Sequence, residues 1–499
     1  MSGPDDALPK PVTTFLAQHA EAVLWRPGEV LDAGERPRVA VVLPDVLALR
    51  QAPGGGLGPG LAGVRTGVLG VFVASHRGAL LLQPRPEWPP LAAVRSRAAA
   101  GGYWLILRFA PGTVVEVAAV LEELGRQLVW GGPWAAPREG GTLDLDVRLI
   151  NPIGFTATAT EPVVEAAALD LRQDVGPVLI DALRSAAGVR VGAWPAAVTA
   201  AVPAFALAGV PVVAEAAVAA AAPATVPAAV RDLLAAPVDL TDPLAREEHS
   251  LLLRHAAFDA LAGVRQPSVS ILLATKRADM LPHALAQVAR QRGVDELELV
   301  LAPHGFEVDP AVVREAVGPH VAVQVLPHPD DAVFGDVLHA AATAAGGELV
   351  LKMDDDDWYA PDVVADLLRA RAYSGAELVG MPAELHYLTA QDLTVKRGHP
   401  VEVYATFVAG GTMLLARSTL AEVGGWRAVR RFVDAQLLES IAAAGGVVYR
   451  THGLGYVLRR NPTGHTWQVD LDYLLDPART VATWPGFRPS RLMELTSPD

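Results

Sequence analysis

The sequence predicts an α/β fold whose second half is built on a mostly parallel sheet. Three observations predict it. Hydrophobic residues make up 51% of the 499 and charged residues 19%, the balance of packed α/β units rather than of a disordered chain. From residue 268 onward, short apolar runs alternate with amphipathic helical stretches, as right-handed crossovers between parallel strands require. The last of those runs, LVLKM, ends abruptly in four aspartates at 354–357, and ligand sites of such sheets lie beyond the carboxyl ends of the strands.

The elements follow in order. Over residues 1–175 the runs RVAVVLPDVLAL, TGVLGVFVA, ALLLQP and YWLILRFAP, punctuated by Gly and Pro, read as a strand-rich α/β domain without a chemical motif. Its glycine-rich stretch QAPGGGLGPGLAG (51–63) lacks the Lys-Ser/Thr ending of a phosphate loop and reads as a surface loop. Residues 176–266 are Ala/Val/Pro-rich, and either a helical linker or a small αβ layer fits them, with a helix around 246–262 and a junction at Gln266-Pro267. Strands are then expected at 268–274, 297–302, 321–326 and 348–353, with helices carrying Leu281, Leu285 and Val288 on one face and another near 335–345. After the aspartates, Pro361 suits the first turn of a helix whose buried face is Val363, Val364, Leu367 and Leu368. The expected domains are 1–175, 176–266, 267–470 and a tail, 471–499.

Composition narrows the function. The net charge is −14 and no Lys/Arg-rich run tracks a phosphate backbone, so nucleic acid is not the expected partner. The absence of cysteine removes disulfides, thiolate zinc sites and cysteine nucleophiles, and is compatible with a reducing cytoplasm. The N-terminus has no signal-peptide pattern. The uncharged stretch 191–214 is long enough to span a bilayer, but Pro195, Pro203, Gly209 and Pro211 interrupt it and its apolar content is largely alanine, so a buried αβ segment is expected and no transmembrane helix.

Four adjacent carboxylates repel one another and need a positive partner. On an extended backbone alternate side chains face the same way, so Asp354 and Asp356 are expected in one pocket with Asp355 turned away. Hard oxygen donors of this kind suit Mg²⁺ or Mn²⁺. A solvated acidic loop is the alternative, and Asp357 and Asp362 also suit the start of the following helix as favourable charges.

Four blocks, PSVSILLATKR, GGELVLKMDDDDWYAPD, VAGGTMLLARSTLAEVGGW and RRFVDAQLLESIAAAGG, stand in the order in which the family 2 glycosyltransferases carry their opening strand, Asp-x-Asp motif, acceptor-side segment and catalytic-base segment. The segment from 267 to about 470 resembles that family, which implies a GT-A fold and transfer from a nucleoside diphosphate sugar to a carbohydrate or glycoconjugate acceptor, cell envelope polysaccharide included. The resemblance implies that Thr275, Arg277 and Asp354 contact the donor nucleotide and that Asp356 with Asp354 holds a divalent metal, with His465 as a further candidate ligand. It implies that Asp434 is the general base, with helix N-cap as its alternative role, and that Gly410, Gly411 and Trp426 lie on the acceptor side. Arg459 and Arg460 are candidates to stabilise the leaving group, and Trp358, Trp426 and Trp467 to stack on rings or simply to pack. The chain departs from the family pattern at His304, where an acid is common, at Val433, which leaves one carboxylate before the base helix, and at His339 following Gly335, where many relatives have Asn.

The implied reaction is metal-assisted departure of the nucleoside diphosphate, general-base activation of the acceptor hydroxyl, and inversion at the anomeric carbon. A nucleotidyltransferase is one alternative, although ATKRADM lacks the glycine-rich turn it needs; a catalytically inactive nucleotide-sugar-binding scaffold is the other. Asp-Asp-x-x-Asp chemistry on an all-α fold is excluded, because Trp358 stands at the required position. The expected location is the cytoplasm, with the inner face of the membrane as its variant.

Overall fold

A computed structural model describes the chain except residues 1–7, 45–47, 50–58, 75–87, 90, 100–101, 129–158, 160, 172–176, 185, 262–265, 445, 462–470 and 499. Two units are resolved: Met1–Trp134 with two short later segments, and a larger one formed by Ala135–Ala372, Ala376–Ala442 and Val448–Asp499.

In the first unit a five-stranded sheet has the order Val23–Trp25, Val39–Leu43, Val68–Ala74, Gly102–Phe109, Leu91–Ala99. The first three strands are parallel, Gly102–Phe109 runs antiparallel to them, and Leu91–Ala99 runs antiparallel to Gly102–Phe109. Period-2 alternation sends Val39, Val41 and Leu43 into one core, beside Val117, Val120, Leu121 and Leu124 of the helix Val117–Leu128. Ala40 points the other way, into a second core with Val12, Phe15, Phe72 and Trp104. The expected strand-rich α/β character is therefore present; the run ALLLQP lies outside the described residues.

In the larger unit, the alanine-rich region is an αβ layer. Parallel strands Val164–Glu165, Val189–Val191 and Val212–Ala214 carry the helix Ala196–Leu207 between the last two. The helix Pro243–Leu261 is tied to this layer by buried polar groups: Arg246 donates to the carbonyls of Ala187 and Ala186 at 2.9 and 2.8 Å, and Ser250 donates to that of Gly209. Among the described residues no helix is long and apolar enough to cross a membrane.

The sheet that carries the site begins next, and its strands are numbered from there: β1 (Val269–Thr275), β2 (Leu297–Pro303), β3 (Val321–Val325), β4 (Leu349–Met353), β5 (Trp358–Tyr359), β6 (Leu378–Gly380), β7 (Leu385–Leu388), β8 (Leu393–Arg397), β9 (Val403–Ala405), β10 (Leu414–Ala416), β11 (Val448–Arg450), β12 (Tyr456–Arg460) and β13 (Thr480–Pro485). The large sheet has the order β3-β2-β1-β4-β10-β6-β11-β9, with β3, β2, β1 and β4 mutually parallel and β10 antiparallel to β4. A second sheet has the order β5-β12-β7-β8-β13, so residues past 470, expected as a tail, contribute an edge strand.

The crossover helices are α1 (Leu281–Ala289), α2 (Pro310–Val317) and α3 (Phe334–Ala344); α4 (Val363–Ser374), α5 (Arg417–Glu422) and α6 (Val433–Ala443) follow. On α3, Val337, Leu338, Ala341 and Ala342 recur at helical spacing and pack on Leu272, Val300 and Val350 of the sheet. Burying Val337 or Leu338 in this way contributes about 1.5–3 kcal/mol each. Continuous apolar strands at β1, β2 and β4 follow from burial of both sheet faces.

Candidate functional site

Register builds the site. Leu273 pairs with Met353, so extending both strands by two residues brings Thr275 level with Asp355. Thr275 Oγ1 donates to the Asp355 carboxylate and also accepts the backbone N–H of Arg277 at 2.9 Å, which turns the chain at the end of β1. The Arg277 guanidinium then reaches the same carboxylate, with Nε donating to Asp355 Oδ2 at 3.1 Å, and Nη1 donates to Asp356 Oδ2 at 2.8 Å. Burial opposes the charge on Arg277, but these hydrogen bonds outweigh it and push its pKa above the usual arginine value.

The alternation expected along the cluster does not occur. Asp355 and Asp356 share Arg277, while Asp354 faces another way, because residues 355–357 form a bend and period 2 holds only along a strand. Asp357 is turned back under the site, where its carboxylate accepts from the Tyr456 hydroxyl and from the Arg459 N–H at 2.9 Å. Burial, then Asp356 and Asp354, push the Asp357 carboxyl well above the usual range.

Asp354 lies on the side facing β10. Its carboxylate accepts from Lys352 Nζ at 2.6 Å, and the same ammonium stands 3.4 Å from Asp434 Oδ1. The Lys352 side chain is 3% exposed, whereas Asp354 and Asp434 are 35% and 32% exposed, so the cation is buried beneath two half-open carboxylates. Burial disfavours the Lys352 charge, yet Asp354 and Asp434 overcome it and raise its pKa. The Asp434 carboxyl is pushed up by burial and by Asp354, with Lys352 opposing. Asp434 sits in the first turn of α6, not at its N-cap.

Gly410 and Gly411 open a 3-10 turn, Gly410–Thr412, directly against both carboxylates. A Cβ at Gly410 would lie 2.0 Å from Asp434 Oδ2, and one at Gly411 would lie 2.9 Å from Asp354 Oδ2 and 2.6 Å from the Tyr359 hydroxyl. Only glycine permits this approach. Phe432, exposed and held at a φ of 63°, stands two residues before Asp434.

Of the other expected residues, Arg459 joins the cluster. Its Nε donates to the Asp356 carbonyl at 2.8 Å and its guanidinium lies 4.1 Å over the Trp358 ring. Burial lowers the pKa of the neighbouring Arg460, against the opposing influence of Asp357. Trp426, expected on the acceptor side, is instead 4% exposed in the core with Val337 and Leu437, because the turn at Gly424-Gly425 folds it inward. Trp358 is likewise buried, against Tyr387 and Phe487. Val433 fills the same core as Trp426, and His339 packs where a Cβ on Gly425 would fall, 2.2 Å away. His304 is buried at the end of β2, where its N–H donates to the Thr275 carbonyl at 2.8 Å, and burial and Lys276 hold its pKa below the ordinary value. His465 and Trp467 lie outside the described residues.

Sequence reasoning missed Lys352, Tyr359 and Tyr456. The signal for Lys352 was present as a lone ammonium in an otherwise apolar buried strand, which demands a counter-charge at its end.

The larger unit is thus an α/β structure with a cluster of carboxylates and their cationic partners at the carboxyl ends of its parallel strands. No family model matches the chain. A segment of 104 residues, 21% of the chain, is 26% identical to 30% of the length of the protein named "Putative glycosyltransferase EpsH" of Bacillus subtilis (strain 168). The match thus spans under a third of that relative. Among solved structures, the mannosyltransferase PcManGT of Pyrobaculum calidifontis, in complex with GDP-Man and Mn²⁺, aligns over 40% of this chain and 59% of its own with 17% identity and a TM-score of 0.32. S. aureus TarS 1–349 in complex with UDP-GlcNAc aligns over 42% of this chain and 64% of its own with 14% identity and a TM-score of 0.33. Likeness at these scores defines neither a fold nor an activity.

Proposed function

We propose that the chain is a glycosyltransferase of family 2 and GT-A type that moves a sugar, a hexose in the first instance, from a nucleoside diphosphate sugar to an acceptor hydroxyl with inversion. One observation carries the reading: Asp354 and Asp434, 80 residues apart in sequence, meet on one buried ammonium, that of Lys352, with Gly410 and Gly411 clearing the space before them. The parallel order β3-β2-β1-β4 with antiparallel β10 supports it, as does the 104-residue likeness to EpsH.

In this reading Asp434 takes the proton of the acceptor hydroxyl. Burial raises its basicity and α6 fixes its position, while its open face leaves room for the acceptor. Arg277 and Arg459 supply fixed positive charge where the diphosphate leaves. For a hard divalent cation, Mg²⁺ or Mn²⁺, Asp354 would be the first donor, since Gly411 keeps its Oδ2 clear, and Asp356 would join it on leaving Arg277. Such an ion, when bound, supplies Lewis-acid stabilisation of the leaving phosphate oxygens. Carbohydrate or glycoconjugate acceptors and a cytoplasmic location, free or at the inner face of the membrane, belong to the same proposal.

The test is a screen of UDP-, GDP- and dTDP-sugars for Mn²⁺-dependent thermal stabilisation, followed by turnover of the donor that stabilises. Asp356→Ala is expected to lose the metal-dependent shift, and Asp434→Ala to keep it while losing turnover. Nucleotide-sugar binding without turnover by any tested acceptor would favour a non-catalytic binding protein. Equal loss of both properties in Asp434→Ala would contradict the base assignment.

A further inference from the structure

A second constellation lies apart from the acidic cluster. His255 on the helix Pro243–Leu261, Asp366 on α4 and His452 just past β11 bring one donor atom each to within 4.8 Å of one another. His255 Nε2 is 3.3 Å from Asp366 Oδ1, and His452 Nε2 is 3.2 Å from Asp366 Oδ2. The Asp366 and His452 side chains are each 1% exposed. Beyond that contact itself, neither Asp366 Oδ2 nor either nitrogen of His452 has a hydrogen-bond partner among the described residues. Leaving a buried donor or acceptor unsatisfied destabilises the fold, so such atoms point to a partner.

We propose that His255, Asp366 and His452 form a binding site for a transition-metal ion of the zinc class. Donors about 2.0–2.2 Å from a tetrahedral ion stand ~3.4 Å from one another; each imidazole nitrogen stands at about that distance from one of the two Asp366 oxygens, and one donor atom from each residue lies within 4.8 Å of the others. Two imidazoles with one carboxylate suit Zn²⁺, Co²⁺ or Ni²⁺ better than Mg²⁺, which distinguishes this site chemically from the all-oxygen cluster at Asp354 and Asp356. The surroundings complete the pattern. Arg369 Nη1 donates to Asp366 Oδ1 at 2.6 Å and its Nη2 donates to Asp259 at 2.6 Å, the outer hydrogen bonding that orients a ligating carboxylate. Three protein donors leave one coordination position for a water. Because the ligands come from three segments far apart in sequence, the ion would fasten the helix Pro243–Leu261 to α4 and the end of β11, and its binding would contribute to folding stability.

The experiment uses the full chain, dialysed against Zn²⁺ and then freed of excess, with bound metal measured by mass spectrometry and repeated with Co²⁺ for visible absorption. The expected result is about one equivalent of Zn²⁺ per chain, retained in an Asp354→Asn/Asp356→Asn double variant and lost in both His452→Ala and His255→Gln. Co²⁺ should give the intense ligand-field bands of a tetrahedral site. Absence of stoichiometric Zn²⁺ in the unaltered protein, loss of it in the Asp354/Asp356 variant, or an octahedral Co²⁺ spectrum would each overturn the proposal. If a histidine variant fails to fold, retention of Zn²⁺ in the Asp354→Asn/Asp356→Asn variant together with the tetrahedral Co²⁺ spectrum still decides it.

Discussion

Replacing Gly410 by alanine tests the geometry of the site. The added Cβ would lie 2.0 Å from Asp434 Oδ2 and 2.6 Å from its Cγ, where real contacts stay above 3.0 Å. The carboxylate must therefore retreat by about 1 Å, and misplacement of that size costs on the order of 10²-fold in rate. Retreat is constrained by Lys352, 3.4 Å from Oδ1, so the side chain cannot turn without loosening its ion pair. A 100-fold loss corresponds to about 2.7 kcal/mol of barrier. Thr275 and Arg277 lie at the other end of the acidic cluster, so donor affinity should persist. The assay is steady-state kinetics with the donor found by the screen, with donor affinity measured separately by thermal shift. Turnover within about threefold of the unaltered enzyme would refute the placement of Asp434 at the reacting hydroxyl, as would a fall in donor affinity equal to the fall in rate.

Three further outcomes are expected. Lys352→Met removes the cation shared by Asp354 and Asp434 and should cost about 3 kcal/mol, the low end for a broken buried pair because water partly screens both carboxylates; an unchanged urea midpoint would contradict this. In the buried group where Lys396 Nζ pairs with Glu384 and, at 3.3 Å, with Glu247, burial and then Glu247 push the Glu384 carboxyl from 4.5 up to about 7, with Lys396 opposing. The folded state holds that proton more tightly than the unfolded chain, so the contribution is complete below about 4.5 and is lost as pH rises through about 7. Glu384→Gln should flatten the dependence of the urea midpoint on pH over that window, and an undiminished slope would assign it elsewhere. Gly411→Ala, crowding Asp354 Oδ2 and the Tyr359 hydroxyl, should weaken the Mn²⁺-dependent thermal shift, and an undiminished shift would remove Asp354 from the metal site.

The sequence by itself determined the four parallel strands of the sheet that carries the site, with the helices α1, α3 and α4. The continuous apolar runs that became β1, β2 and β4, and the helical spacing of Val337, Leu338 and Ala341, are demands of burial that local pattern expresses. It also placed the aspartates at a strand end. Tertiary structure alone decided how charge is distributed there. Arg277 reaches Asp355 and Asp356 because parallel register aligns two strand ends about 80 residues apart, and Lys352 joins Asp354 to Asp434 because α6 packs beside β4 across the core. Whether Trp426 meets solvent or core was likewise settled by the turn at Gly424-Gly425. Periodicity reports which face of an element avoids water, whereas the partner a charge finds depends on segments brought together by the fold, and no local spacing encodes that distance.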